Sequence, residues 1–145
     1  MLSIIPFFAL NSIDILKNRC LQITVSRKEI LSTFIVSKTA LSHKDIHRLT
    51  NEAFDRVTIY RTLDSFVKAA IIHEVPSVDF AIRYALVDDK AGSNRKGHPH
   101  FLCETCGKTL CMKDTELPVV LSPRGFVLMK VELVMRGICD CCYQP

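Results

Sequence analysis

The chain lacks the sequence patterns that most enzymes carry. It holds five glycines in 145 residues, and none of them forms a Gly-rich loop able to cradle phosphate. It has no H-E-x-x-H pair, no Ser/His/Asp set and no paired acids around an open metal position. These absences argue against catalysis. No apolar run approaches the roughly 20 residues a bilayer requires. The apolar opening, Met1-Leu-Ser-Ile-Ile-Pro-Phe-Phe-Ala-Leu10, ends at Asn11 and Asp14. It has neither a positively charged n-region nor an A-x-A-like cleavage site. It is expected to pack at the start of the first helix, not to anchor the chain in a membrane. Internal repeats and low-complexity runs are also missing.

Charge imbalance is small: 19 Lys and Arg against 15 Asp and Glu leave a net +4. Its distribution says more. Lys17, Arg19, Arg27 and Lys28 fall in one stretch that contains no acid. That stretch suits a phosphate backbone, although a solvated helix face would look the same.

Cysteine is what the chain does have. There are seven, an odd number without a secretory signal, which points to a reducing compartment such as the cytoplasm. Four form two C-x-x-C pairs, Cys103-Glu-Thr-Cys106 and Cys139-Asp-Cys-Cys142. Two intervening residues let both thiolates of a pair point at one centre, and two pairs complete a tetrahedral zinc site. Gly107 permits the tight turn of a metal knuckle. The stretch 107–138 between the pairs exceeds zinc-ribbon spacing, so a small sub-fold must lie between them. Such a closed site leaves no position for substrate and is structural. Two disulfides or buried free thiols are the alternative.

Nearly half of the chain is hydrophobic, 48%, enough to build a core. The pattern predicts an α+β protein in two parts. Residues 1–87 read as helices followed by a β-hairpin, 88–97 as a polar hinge, and 98–145 as a β-rich domain. Ile30, Leu31, Phe34 and Ile35 form one helical stripe. Ser42-His-Lys-Asp45 is a capping box before a short helix. Asp55 can cap a helix from Arg56 to about Ala70. Ile71–Val75 and Phe80–Val87 read as the hairpin. Together these make a winged helix-turn-helix. Farther on, Thr109–Met112 reads as a strand. Val127, Met129, Val131, Leu133 and Met135 alternate with polar residues, as in a half-buried strand.

On the helix from Arg56, Ile59, Leu63, Phe66, Val67 and Ala70 fall on the core side. Thr58, Tyr60, Arg61 and Thr62 form an exposed stripe near its N-terminus. A recognition helix enters the major groove with that half leading. Arginine can contact guanine or phosphate there, and Tyr and Thr can touch a thymine methyl or a phosphate oxygen.

Val57-Thr-Ile-Tyr-Arg-Thr-Leu63, followed by Ala69-Ala-Ile-Ile-His-Glu-Val75, resembles the recognition helix and wing of the ferric uptake regulator family. His98-Pro-His-Phe-Leu-Cys-Glu-Thr-Cys-Gly-Lys108 is similar to that family's histidine-rich segment and first knuckle. Gly125-Phe126, the alternating strand and Gly137-Ile-Cys-Asp-Cys-Cys142 resemble its last strand and second knuckle, and Leu16–Arg27 its first basic helix and turn. The resemblance spans roughly 10–142. It implies a homodimeric, metal-responsive repressor with N-terminal winged helices on a double-stranded DNA operator and paired C-terminal α/β domains. It places Lys17, Arg27, Tyr60 and Arg61 at DNA, where the exposed stripe adds Thr58, and Cys103, Cys106, Cys139 and Cys142 on structural zinc. No membrane and no small-molecule substrate is implied.

The family's regulatory metal site is matched only in part. His98 and His100 stand at its two histidine positions, but Cys111 replaces the usual acid. Ala40 and Ala85 stand where a ligand before the third helix and a wing carboxylate are usual, and Val131 stands at a histidine position. Pro118 and Pro123 predict that the family's C-terminal helix is clipped to about one turn. Two readings remain. In one, His98, His100 and Cys111 form a remodelled sensory site with a fourth donor from Asp88, Asp89, His73 or Glu74. Thiolate then favours a second zinc over iron or manganese. In the other, the sensory site is lost, Cys111 is a buried strand cysteine, and the protein is a thiol or peroxide sensor or a constitutive DNA binder. Cys20, Cys111 and Cys141 would then be the oxidisable thiols. His43 and His47, spaced i, i+4, read as a surface helix face. A zinc-ribbon enzyme subunit or a rubredoxin-type electron carrier is a further class.

Overall fold

The computed structural model describes residues 11–37, 39–87 and 98–144. The apolar residues 1–10 and the expected hinge 88–97, with Asp88 and Asp89, lie outside the described residues. The described elements are α1 (Ser12–Asn18), α2 (Val25–Val36), β1 (Leu41–Ser42), α3 (His43–Leu49), α4 (Arg56–Lys68), β2 (Ile72–Val75), β3 (Arg83–Leu86), β4 (His100–Cys103), β5 (Thr109–Cys111) and β6 (Val134–Gly137).

Short polar side chains start the helices. Asn11, Thr24, Ser42 and Asp55 each accept a hydrogen bond from a backbone N–H in the first turn. This satisfies donors that have no partner inside the helix. The predicted capping box is present at Ser42 and Asp45. Three helices end in a left-handed residue that is not glycine. Cys20, Asn51 and Ala70 follow α1, α3 and α4 with φ of 55°, 51° and 53°. At each end the next amide reaches back to a carbonyl five residues earlier: Leu21 to Leu16, Glu52 to His47, Ile71 to Phe66. These are Schellman turns built on residues that pay about 1–2 kcal/mol for the left-handed backbone.

Ile15, Leu16, Ile30, Leu31, Phe34, Ile46, Ile59, Leu63 and Phe66 form the centre of one core, joined by Ile71, Ile72 and Tyr84 from the hairpin. Each such side chain contributes about 1.5–3 kcal/mol by leaving water. The core thus lies in the N-terminal half and fixes α4 against the wing. In the three-stranded sheet β1-β3-β2, His73 pairs with Ala85 and Leu41 with Tyr84. A second sheet, β5-β4-β6, has β4 antiparallel to β5 and parallel to β6.

The structure corrects several sequence expectations. The hairpin strands are shorter than Ile71–Val75 and Phe80–Val87, because Phe80–Ile82 belong to the turn. Val67 and Ala70 are exposed, while Thr62, expected on the outer stripe, is buried. The alternating strand is realised only at Val134–Gly137. Val127 and Met129 are instead almost fully exposed. Alternation alone did not secure a strand, because no neighbouring strand within the described chain covers that segment. Among the described residues after 98 there is no helix, so the expected single turn is not formed.

Candidate metal centres and nucleic-acid face

The sulfur atoms of Cys103, Cys106, Cys139 and Cys142 gather within 4.8 Å of one another. The knuckle is built by backbone bonds: the amide of Cys103 donates to the Lys108 carbonyl and that of Gly107 to the Cys103 carbonyl, both at 2.9 Å. Gly107 has φ +72°, the conformation its type was expected to supply. Parallel pairing of Cys103 with Gly137 carries the second knuckle to the first. Cys106 and Cys139 Sγ stand 3.7 Å apart. A tetrahedron with zinc–sulfur bonds of about 2.3 Å has edges near 3.8 Å, so the group fits zinc. Backbone N–H groups of Cys106 and then Cys139 lower the Cys103 thiol to about 6, which favours the thiolate a metal needs. Cys141 is exposed and lies outside this group of four, although its donor atom sits close to those of Cys139 and Asp140.

A second group joins the two halves of the protein. Donor atoms of His73, His98, His100 and Cys111 also lie within 4.8 Å of one another. His73 stands on β2 of the wing, His98 just before β4, His100 on β4 and Cys111 on β5. His100 and Cys111 are cross-strand partners. His98 and His100 converge despite Pro99, with ring centroids 4.7 Å apart. The His73 ring is 5.0 Å from His98 and 5.8 Å from His100, and its Nε2 is 3.7 Å from Cys111 Sγ. Of the four suggested fourth donors, the cluster therefore contains His73. Glu74 is exposed on the other face of β2.

Residues opposite each other in an antiparallel pair project from the same face. His73 pairs with Ala85, which stands where the resemblance makes a wing carboxylate usual. The His73 side chain thus projects from the same sheet face as residue 85. Nothing in the sequence alone reveals this pairing, because it depends on the hairpin register.

Three observations fit this group to a metal. Among the described residues, the buried side-chain nitrogen and oxygen atoms without a hydrogen-bond partner are His73 Nδ1, His98 Nε2 and His100 Nε2. Native proteins rarely leave such atoms unsatisfied. Burial, followed by repulsion from neighbouring imidazoles, lowers His73 and His100 to about 4, and burial chiefly lowers His98 too. The rings are therefore neutral at physiological pH, the state that ligates metal. Burial pushes the Cys111 thiol up to about 11, so metal binding there must displace a proton.

These histidines also set a pH dependence. In the unfolded chain they protonate near 6.5, while His73 and His100 in the fold resist protonation until about 4. Between those values the unfolded state binds more protons, so stability falls as pH drops from about 6.5 towards 4. We expect the Tm of protein that keeps the four-cysteine zinc but holds no metal at the histidine cluster to stay level above pH 7 and decline below pH 6. A His73→Ala variant should decline less steeply. Equal slopes in thermal melts would contradict this assignment.

On α4, Tyr60 and Arg61 are exposed as expected. Thr58 is half-buried, and its hydroxyl donates to Asp55 at 3.0 Å, within the helix cap. Tyr60 stacks on His43, with centroids 4.3 Å apart and planes at 28°. His43 Nε2 lies 3.2 Å from the Arg56 carbonyl. Sequence reasoning placed His43 on a solvated face and missed this support. Lys17 is exposed on α1; Arg27, in the first turn of α2, donates to the Gln22 carbonyl at 2.9 Å.

The sequence profile of the Ferric uptake regulator family matches residues 18–135. A ferric uptake regulation protein of Staphylococcus aureus is 30% identical over 136 residues, which cover 91% of this chain and 96% of the relative. Among solved structures, a zinc uptake regulator complexed with zinc and DNA superposes with TM-score 0.63 at 20% identity, covering 93% and 91% of the two chains. The ferric uptake regulator of Pseudomonas aeruginosa with manganese gives 0.60 at 19%, covering 90% and 99%. At such identities the structural likeness concerns the fold.

Proposed function

Since this chain belongs to the ferric uptake regulator family of DNA-binding transcription regulators, we propose that it is a zinc-responsive repressor acting as a homodimer in the cytoplasm. Cys103, Cys106, Cys139 and Cys142 hold the structural zinc, and His73, His98, His100 and Cys111 hold the regulatory one. The observation that carries this reading is the second cluster, whose donors come from the wing and from the β-rich half. Three imidazoles and one thiolate suit zinc better than iron or manganese, which prefer harder, oxygen-rich sets.

Metal at this site ties β2 to β4 and β5. It selects one placement of the winged helix relative to the partner subunit. Half-sites read by α4 must then fall about one DNA turn, 34–36 Å, apart. Zinc at 100 times its dissociation constant would stabilise that placement by about 2.7 kcal/mol if it binds no other, enough to change operator occupancy strongly. The exposed Val119, Leu121, Phe126, Val127 and Met129 are apolar side chains that a second copy would cover. The redox alternative is weaker at Cys111, whose raised thiol pKa slows its oxidation.

The test of the DNA-binding face is Arg61→Ala. A duplex recovered from a random-sequence pool with zinc-loaded protein serves as operator. The variant should bind it about 1–3 kcal/mol more weakly in gel-shift titration. Unchanged affinity would remove α4 as the reading helix.

A further inference from the structure

Among the described residues, Phe80 packs against no side chain of the core. It is 99% exposed at the tip of the wing, the neighbouring Ile82 is 55% exposed, and the Phe80 backbone lies at φ +57°. A bulky residue rarely adopts that conformation, and such strain persists only where the surroundings enforce it.

The surroundings do enforce it. Asp79 holds Arg83 in a two-pronged ion pair at 2.6 and 2.9 Å. Ser77 Oγ donates to the Ala81 carbonyl at 2.6 Å. At the base of the turn, Thr109 Oγ1 on β5 donates to the Pro76 carbonyl at 3.0 Å. Val78 lies so close to Gly107 that a Cβ there would meet its methyl at 3.3 Å. The turn is therefore braced both internally and against the zinc knuckle, and it presents an aromatic ring to solvent.

Phe80 and Ile82 line the same groove, about 890 Å³, as Lys44 and Arg48 of α3 and Arg56 and Tyr60 of α4. Whatever lies against the N-terminal half of α4 also meets the wing tip. We propose a specific role for Phe80: beside the major groove occupied by α4, its ring enters the minor groove as an apolar wedge. Apolar side chains inserted there part-unstack a base step and bend the duplex, allowing more of the protein to contact it. The groove also holds Asp45, Glu52 and Asp79; Asp79 is paired with Arg83 and Asp45 with Arg48, so Lys44 and Arg56 face Glu52 as the remaining acid of the lining. This inference rests on the DNA-binding reading above.

The chain contains no tryptophan, so Phe80→Trp would carry a unique indole. Zinc-loaded Phe80→Trp is titrated with the selected duplex, and gel shifts are run on wild type and Phe80→Ala across a range of salt concentrations. Indole emission should change and saturate at the duplex concentration that saturates the gel shift. Phe80→Ala should bind about 10-fold or more weakly, the scale of one base–aromatic contact. Its salt slope should equal that of wild type, because no phosphate contact is lost. Wild-type affinity in Phe80→Ala would overturn the proposal while leaving the DNA-binding reading intact. So would emission that follows protein concentration but not DNA, which would place the ring at a protein contact. A wild-type protein that shifts no duplex would remove both.

Discussion

Cys103→Ser should yield a zinc-free, monomeric protein whose C-terminal half is unfolded while its N-terminal half survives. The energies decide this. Structural zinc contributes roughly 10–16 kcal/mol in small metal-dependent folds, whereas a whole domain is stable by only about 5–15 kcal/mol. The β-rich half has little else. Its three described strands contribute few buried apolar side chains, chiefly Leu102 beside Cys103 itself, while the main core runs from Ile15 to Tyr84. Limited proteolysis should therefore cut within 98–144 and spare a fragment ending near residue 87. A dimer on a sizing column with both metals retained would contradict the assignment. The second metal site should fail in the same variant, because β4 carries His100 three positions before Cys103.

His73→Ala should abolish zinc-dependent operator binding while leaving fold, dimer and structural zinc intact. Losing a residue that merely supports a metal ligand typically costs 10–100-fold in affinity, so loss of a ligand should cost more than about 100-fold. At a fixed free zinc concentration, the roughly 2.7 kcal/mol by which saturating metal favours one placement would then vanish. The double variant His73→Ala/Ala85→His separates ligation from packing. It moves the imidazole to the cross-strand partner on the same sheet face and should restore part of the zinc response. Zinc-dependent binding that persists in His73→Ala would show that the cluster is not the sensor. A double variant as unresponsive as the single one would show that the register argument is wrong.

Much of this protein was legible in its sequence, for reasons that differ by element. The helices declared themselves through cap residues and apolar stripes, which act over a few positions. Asp55 before Arg56 and Ser42 before His43 needed no tertiary information. The four-cysteine centre was legible because C-x-x-C spacing is itself a geometric constraint. The helix ends were harder, since Cys20, Asn51 and Ala70 adopt a conformation that sequence readers assign to glycine. The residues 127–133 misled because period-two alternation describes a strand only when a neighbour pairs with it. The regulatory cluster was half visible: His98, His100 and Cys111 lie near one another in sequence, whereas His73 enters through long-range docking of the wing against β4 and β5. His43 behind Tyr60 was invisible for the same reason.

The central claim is a pair of metal centres of unequal character in one chain. It is tested most directly by counting zinc per chain by elemental analysis in wild type and His73→Ala, before and after dialysis against a mild chelator. Wild type should fall from two zincs to one, and His73→Ala should hold one throughout. A wild-type protein that holds one zinc before dialysis and takes up no more when zinc is added would contradict the account.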